Sequence, residues 1–377
     1  MRIFKAYFNN RIQIEKIENN NGKILAYSKS SPFYPDGKGG QLGDRGSIGL
    51  AHVLSVREND DYIICELDKE IQPGEYDVTI DEERRMDIAQ QHTAQHILSA
   101  AFIEIANIKT VSFHMGDEYC TIDVETAFIE PDVLNEAEEL ANKIVQSCTE
   151  VEEIITDLEG SRNYSLRKPL SDKVKGEVRL IKIGQFDVSA CSGFHTENTG
   201  EVGMIKIIDT EKVKGELTRL YFVAGIRSLK YFQKYNSVIN ELAKMLTTSV
   251  DELQARIVKM QNQMKEQAST LSKISEEYAR CISTNLKNDG LVYVEGYNEV
   301  GNFLLKIMDL SNRIVVFFDG TRYLIASHKY DVRPMIKKLM EVYGGRGGGK
   351  AEFANYQPEK KMERSDFERI CSEVYQI

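Results

Sequence analysis

Two short clusters of metal-ligand side chains constrain this fold more than any other feature. The first is HTAQH, with His92 and His96; the second is CSGFH, with Cys191 and His195, about 95 residues further along. Segment 84–106, RRMDIAQQHTAQHILSAAFIEIA, spaces Ile88, Ala94, Ile97, Leu98, Ala101, Phe102 and Ile105 at a helical period, which predicts a helix. Residues i and i+4 share a helix face, so both imidazoles project together. With Cys191 and His195 they form a set of one thiolate and three imidazoles, for which zinc is the natural metal. Such a set requires the two clusters to meet. The HxxxH spacing also suits a metalloprotease, but that chemistry needs a glutamate directly after the first histidine. Thr93 stands there, which excludes that class.

The rest of the chain divides by its patterning into an α+β protein of four parts. Residues 1–82 alternate apolar and polar in runs such as RIQIEKI, KILAYS, HVLSVRE and YIICELD, separated by Gly, Asn, Asp and Pro. That predicts a small β-barrel or sandwich, with the barrel expected. Its loop SPFYPDGKGGQLGDRG is rich in glycine, and Gly39 and Gly40 are suited to bring backbone N–H groups close to a ligand. Residues 83–228 combine the helix above, a strand–turn–strand at TVSFHMGDEYCTIDVE, an acidic helix near 131–148 and further β-structure, an α+β domain. Over 229–286, Leu246, Val250, Leu253, Ile257, Met260, Met264, Leu271, Ile274 and Tyr278 follow a heptad seam with one step skipped near Ala268, which predicts a long coiled-coil helix or helical hairpin, with a helix packed along the protein's own surface as the competing reading. Residues 287–377 read as a C-terminal α/β domain, with a last helix near 364–374. Within it Gly344–Lys350 fits G-x-x-x-x-G-K, but Ala351 follows where a P-loop needs Ser or Thr. No nucleotide cofactor is expected.

Composition narrows the class. Hydrophobic residues make up 42% and charged residues 28%, as in ordinary soluble domains. No run of 18 apolar residues is present, so no membrane partner is expected. The N-terminus lacks a signal-peptide core, and six scattered cysteines without a CxxC pair suit a reducing, cytoplasmic setting. A net charge of −10 argues against a protein that merely coats nucleic acid. Local basic stretches remain, at Lys206, Lys212, Lys214, Arg219, Arg227 and Lys230, and at Arg333, Lys337, Lys338, Arg346 and Lys350. Such patches suffice to hold phosphates.

HTAQHILSA followed by CSGFHTENTGEVGMIKI resembles the editing domain of alanyl-tRNA synthetase and its freestanding AlaX relatives. Their pattern is HTxxH, a later CxxxH, then TGEIG and a short strand; Thr199, Gly200, Glu201 and Gly203 supply the third element here. The loop FYPDGKGGQLGDRG resembles the family's FYPxGGGQxxDxG, with Lys38 in place of a glycine. GGRGGGKAEFANY resembles the glycine-rich stretch of the synthetase C-terminal domain. The resemblance runs from about residue 32 to 356. No synthetase core precedes the barrel, so the chain is expected to be a long-form AlaX protein without an aminoacylation domain. The resemblance implies hydrolysis of serine, and of glycine, from mischarged alanine tRNA. It also implies one zinc per chain on His92, His96, Cys191 and His195.

Hydrolysing an aminoacyl ester requires an oriented water and a stabilised oxyanion. Thr110, Ser112, His114 and Gln95 are the catalytic candidates. Strand alternation would aim Ser112 and His114 at the metal side. Thr110 or Ser112 would sense a substrate hydroxyl, and His114 would position water or the terminal adenosine. Thr93, Gly39 and Gly40 are candidate substrate contacts, with Thr93 and Gln95 also placed to support the histidines. Arg219, Arg346 and Lys350 are candidate tRNA contacts. A homodimer through the heptad helix or the C-terminal domain is expected. Two other readings stay open: a non-catalytic tRNA-binding or assembly protein, and a metal-dependent hydrolase of another aminoacyl ester.

Overall fold

The computed structural model describes residues 11–171, 176–286 and 290–376. The alternation read over residues 1–10, and the start of the last segment at 287, lie outside them. The N-terminal alternation becomes seven antiparallel strands: β1 Arg11–Ile14, β2 Lys16–Asn20, β3 Lys23–Ser28, β4 Gly46–Ile48, β5 Ala51–Glu58, β6 Ile63–Leu67 and β7 Gly74–Ile80. Their order is β1-β7-β4-β5-β6-β3-β2, a nearly closed barrel-like sheet. Alternate side chains, among them Ile12, Ile14, Ala26, Ile48, Val53, Val56 and Leu67, fill its interior.

Helix α1 (Glu82–Ala106) starts where Asp81 caps the Arg84 N–H and stops at Asn107, which is left-handed. Then follow β8 Thr110–Met115, β9 Cys120–Val124, α2 Pro131–Gln146, β10 Val151–Thr156, α3 Leu158–Ser161, β11 Val178–Ile183, β12 Asp187–Ala190, β13 Ile205–Val213 and β14 Leu217–Ala224. Sheet β13-β14-β9-β8 carries α1 on one face, where Ile88, Ile97, Leu98 and Phe102 pack with Ile122, Leu220 and Phe222. These α1 residues are the apolar positions read from the sequence. Strand β12, of sheet β10-β11-β12, also contacts α1. Residues 91, 92, 93, 95, 96 and 99 of α1 are buried although they are polar. That burial of polar groups is the first structural sign of a site.

The chain forms two compact units, residues 1–239 and 240–377, and the division falls within α4 (Ile226–Met245). The heptad seam is not one helix. α4 ends at Met245 and α5 runs from Leu253 to Asn285, which leaves Leu246 and Val250 of the seam between helices. The break is local chemistry: Thr247 turns left-handed at φ 51°, and the Thr248 N–H closes back on the Ala243 carbonyl. Successive β-branched residues there oppose helix continuation.

In the second unit α5 is followed by β15 Gly290–Glu295, α6 Asn298–Ile307, β16 Arg313–Phe318, β17 Tyr323–Ala326, α7 Arg333–Tyr343, β18 Arg346–Gly349, β19 Phe353–Gln357 and α8 Arg364–Tyr375. The sheet order is β15-β16-β17-β19-β18, with β15 and β16 parallel. The glycine-rich stretch is its exposed edge strand, β18.

Candidate metal centre

α1 presents His92 and His96 one turn apart, and the loop after β12 brings Cys191 and His195 against them. The ligand atoms of the four residues all lie within 4.8 Å of one another. Cys191 Sγ is 3.3 Å from His92 Nε2 and 3.2 Å from His195 Nε2. Zinc bonds to sulfur and nitrogen of about 2.3 and 2.05 Å set a tetrahedral S···N edge near ~3.6 Å, so a small outward shift fits one ion.

The ring nitrogens turned away from this centre are held by other side chains. His92 Nδ1 lies 2.8 Å from Gln41 Oε1, and His195 Nδ1 lies 3.2 Å from Thr93 Oγ1. His96 Nδ1 is 3.3 Å from the Asp187 carboxylate, an ion-pair distance without hydrogen-bond angles. Arg167 in turn holds Asp187 at 3.1 Å and donates to the His96 carbonyl at 3.3 Å. Such supports fix ring orientation around a metal.

Electrostatics prepare the same set. Burial pushes the Cys191 thiol up, but the His92 and His195 rings outweigh it and bring its pKa well below the usual thiol value. Burial dominates at His195 and pushes it down to about 3, against the pull of Cys191. At His96 burial is outweighed by Asp187 and Cys191, which raise it. The site therefore favours a thiolate beside a neutral His195, the forms that bind a soft cation.

The barrel loop completes the enclosure. Asp36 accepts from Arg45 and from the Gly43 and Val56 N–H groups, and buried Asp44 accepts from the Tyr34 N–H and from Arg85 of α1. Between these two staples the chain turns through Gly39 (φ 63°) and Gly40 (φ 74°), conformations that favour glycine. A Cβ on Gly39 would lie 3.0 Å from Ser192 Oγ, and one on Gly40 3.4 Å from the Phe113 ring. The loop thus rests on the CSGFH segment and on β8. Gly193 has no room for a side chain, since a Cβ would strike the His92 ring and the Gln41 amide. Lys38, which departs from the family glycine, pairs with Glu58 at 2.6 Å on the surface.

The catalytic candidates divide between two faces of β8. Phe113, not Ser112 or His114, stacks on His92, with centroids 5.4 Å apart. Ser112 and His114 are exposed on the other face, and Ser112 donates to Asp123 at 2.8 Å. The reason is a bulge between Thr110 and Ser112, together with the need of Phe113 and Met115 for the core. Past the bulge, Thr110 faces α1 and donates to Ser99 Oγ at 2.7 Å, which Gln95 Nε2 also reaches at 2.9 Å. Thr93, read as a substrate contact, is fully buried and holds His195 and the Thr196 N–H. Arg219 is engaged by Asp123 through two bonds of 2.7 and 3.0 Å. Arg346 and Lys350 are exposed on the β18–β19 hairpin of the second unit. Gln41, Asp187, Arg167, Ser99 and Phe113 belong to the site but were not singled out from the sequence. Gln41, Ser99 and Phe113 lie in segments quoted above, whereas Arg167 and Asp187 had no signal.

Residues 178–221, which include Cys191 and His195, match the family described as threonyl and alanyl tRNA synthetase second additional domain. The alanyl-tRNA editing protein Aarsd1 of Danio rerio is 28% identical over 95% of this chain and 91% of its own length. This chain is similar to the alanyl-tRNA editing proteins along most of its length. Aarsd1-A of Xenopus laevis is 27% identical, over 92% of this chain and 87% of that protein. The alanine–tRNA ligase of Ignicoccus hospitalis is 29% identical over 85% of this chain, which spans 37% of the ligase. Similarity to the editing proteins therefore extends over both units, and the metal-site residues of the CSGFH segment fall inside the matched family domain.

Proposed function

We propose that the protein is a trans-editing deacylase that hydrolyses serine, and glycine, from mischarged alanine tRNA. The observation that carries this is the convergence of His92, His96, Cys191 and His195 in a chain similar to editing proteins along most of its length. The donor chemistry, one thiolate and three imidazoles, supports one zinc per chain. With four protein ligands, a bound zinc supplies a fixed positive charge and holds the shape of the pocket.

The chain's own residues then bind and orient the ester. The loop at Gly39 and Gly40, resting on Ser192 and Phe113, offers backbone to the aminoacyl group. Thr110, Ser99 and Gln95 form a hydroxyl–amide chain along α1 that suits recognition of a serine hydroxyl. A serine hydroxyl can join that chain and an alanine methyl cannot, which gives discrimination in the required direction. Glycine enters by size alone. Ser112 and His114, on the outward face of β8, suit the terminal adenosine better than the aminoacyl group. Arg346 and Lys350 are our candidate phosphate contacts in the second unit; Arg219 would have to act while bound to Asp123. We further propose division into domains at 82/83, 228/229 and 286/287, a cytoplasmic setting, and a homodimer through the exposed apolar face of α5.

The test is deacylation of serine-, glycine- and alanine-charged alanine tRNA by the full chain. Hydrolysis of the first two with alanine spared supports the reading. Thr110→Val should lose rate on the serine ester and keep it on the glycine ester. Equal loss on both would remove Thr110 as the hydroxyl sensor.

A further inference from the structure

We infer that Gln41, a residue of the barrel loop, is a positioning residue that makes metal binding depend on docking of that loop against α1. The inference rests on the reading of the four-residue cluster as a metal site. Gln41 is 2% exposed and sits between the two aspartate staples of its loop. Its Oε1 takes the Phe194 N–H at 2.8 Å and lies 2.8 Å from His92 Nδ1. A backbone N–H can only donate, so the atom facing both groups is the amide oxygen. An oxygen that accepts from Nδ1 places the ring proton there and leaves His92 Nε2, the atom 3.3 Å from Cys191, free to ligate. The same oxygen thus fixes one ligand on α1 and the CSGFH backbone one residue before another, His195. Gly193 shows how closely the three fit, since it has no space for a Cβ between His92 and Gln41.

The supports of the other two rings differ in origin. Thr93 comes from α1 itself, and Asp187 comes from β12, the strand that leads into the CSGFH loop. Gln41 alone among these three comes from the barrel. It is carried there by Asp44, whose carboxylate is 0% exposed and held by Arg85 of α1, and Arg85 also covers the Phe194 ring at 4.8 Å. Displacing the loop therefore removes the His92 acceptor and the Phe194 acceptor in one movement. The loop that rests over the metal site is also the element that orients one of its ligands, so the site is complete only when the loop is seated.

The experiment uses the full chain as Gln41→Met, which keeps side-chain length but removes the acceptor, and as Gln41→Glu, which keeps an acceptor oxygen. Metal-free proteins are titrated with cobalt(II), read by the ligand-field and thiolate charge-transfer bands, and zinc affinity is measured by chelator competition. Gln41→Met should bind zinc about 10- to 100-fold more weakly and show altered cobalt bands. Gln41→Glu should recover most of the affinity. Should Gln41→Met not fold, Gln41→Asn, which withdraws the oxygen by one methylene, carries the same expectation. Wild-type zinc affinity and cobalt bands in Gln41→Met, or in Gln41→Asn where that variant is used, even with a lower melting temperature of the metal-free protein, would overturn the inference. A wild-type protein that takes up neither metal would remove the metal reading itself, a separate outcome.

Discussion

Helices α1 and α5 break the usual burial rule in opposite ways. α1 buries Gln91, His92, Thr93, Gln95, His96 and Ser99, whereas α5 leaves Ile257 at 41%, Met264 at 67%, Leu271 at 53%, Ile274 at 58% and Tyr278 at 52% exposure. Buried polar groups are costly unless bonded. On α1 they are bonded: Gln91 pairs with both backbone groups of Ala224 at 2.9 Å, Thr93 holds His195, and Gln95 reaches Ser99. On α5 only the last turns are packed, where Ser275 and Ala279 are buried. An apolar side chain left in water forgoes about 1.5–3 kcal/mol relative to full burial. Polar groups inside thus mark the ligand site, and apolar groups outside mark the face we propose for a partner copy.

The largest effect should come from Arg85→Ala on α1. It leaves Asp44 buried without its cation, a loss of about 3–5 kcal/mol. Urea unfolding checks this, and a change below about 1 kcal/mol would mean that the loop is not held through this pair. Thr93→Val should cost about 1–3 kcal/mol, because the Thr196 N–H loses its acceptor, and should weaken metal binding as well. Stability lost with metal affinity intact would separate Thr93 from the site.

A milder probe is pH. Burial opposes ionisation of Asp36, but Arg45 and two backbone N–H groups outweigh it and hold its carboxyl below the ordinary 3.8. Its contribution is therefore complete above that value and fades as pH falls through and below it. Asp36→Asn should destabilise the protein near neutrality, with the difference from wild type shrinking in acid. A difference that stays constant into acid would contradict the assignment. The smallest folding effect belongs to α5: Leu271→Glu with Ile274→Glu should change stability by no more than about 0.5 kcal/mol, yet convert a dimer to a monomer in sedimentation. A wild-type monomer at micromolar concentration would contradict the proposed partner face.

What the sequence made legible follows the range of the interactions. The α1 face, the β8–β9 hairpin, the last helix and the meeting of His92, His96, Cys191 and His195 were readable because each is set by local spacing or by residue chemistry. The bulge at Val111 was not, and it put Phe113 rather than Ser112 and His114 against His92. The break at 246–252 was hidden because the heptad period continues through it, while Thr247 ends the helix through its backbone. Gln41 and His92 lie in different parts of the chain, and no periodicity connects a loop amide to a helix imidazole. Thr93 was visible as a neighbour of the ligands, but its burial decides that it supports His195 instead of meeting substrate.

The most direct test of the account is deacylation of serine-charged alanine tRNA by wild-type protein and by Cys191→Ala, with bound zinc quantified in both. The account predicts rapid hydrolysis and about one zinc per chain in wild type, with both lost in the variant. Stoichiometric zinc in a wild-type protein that leaves the ester intact would contradict it, and would favour a tRNA-binding module that retains a metal site without the reaction.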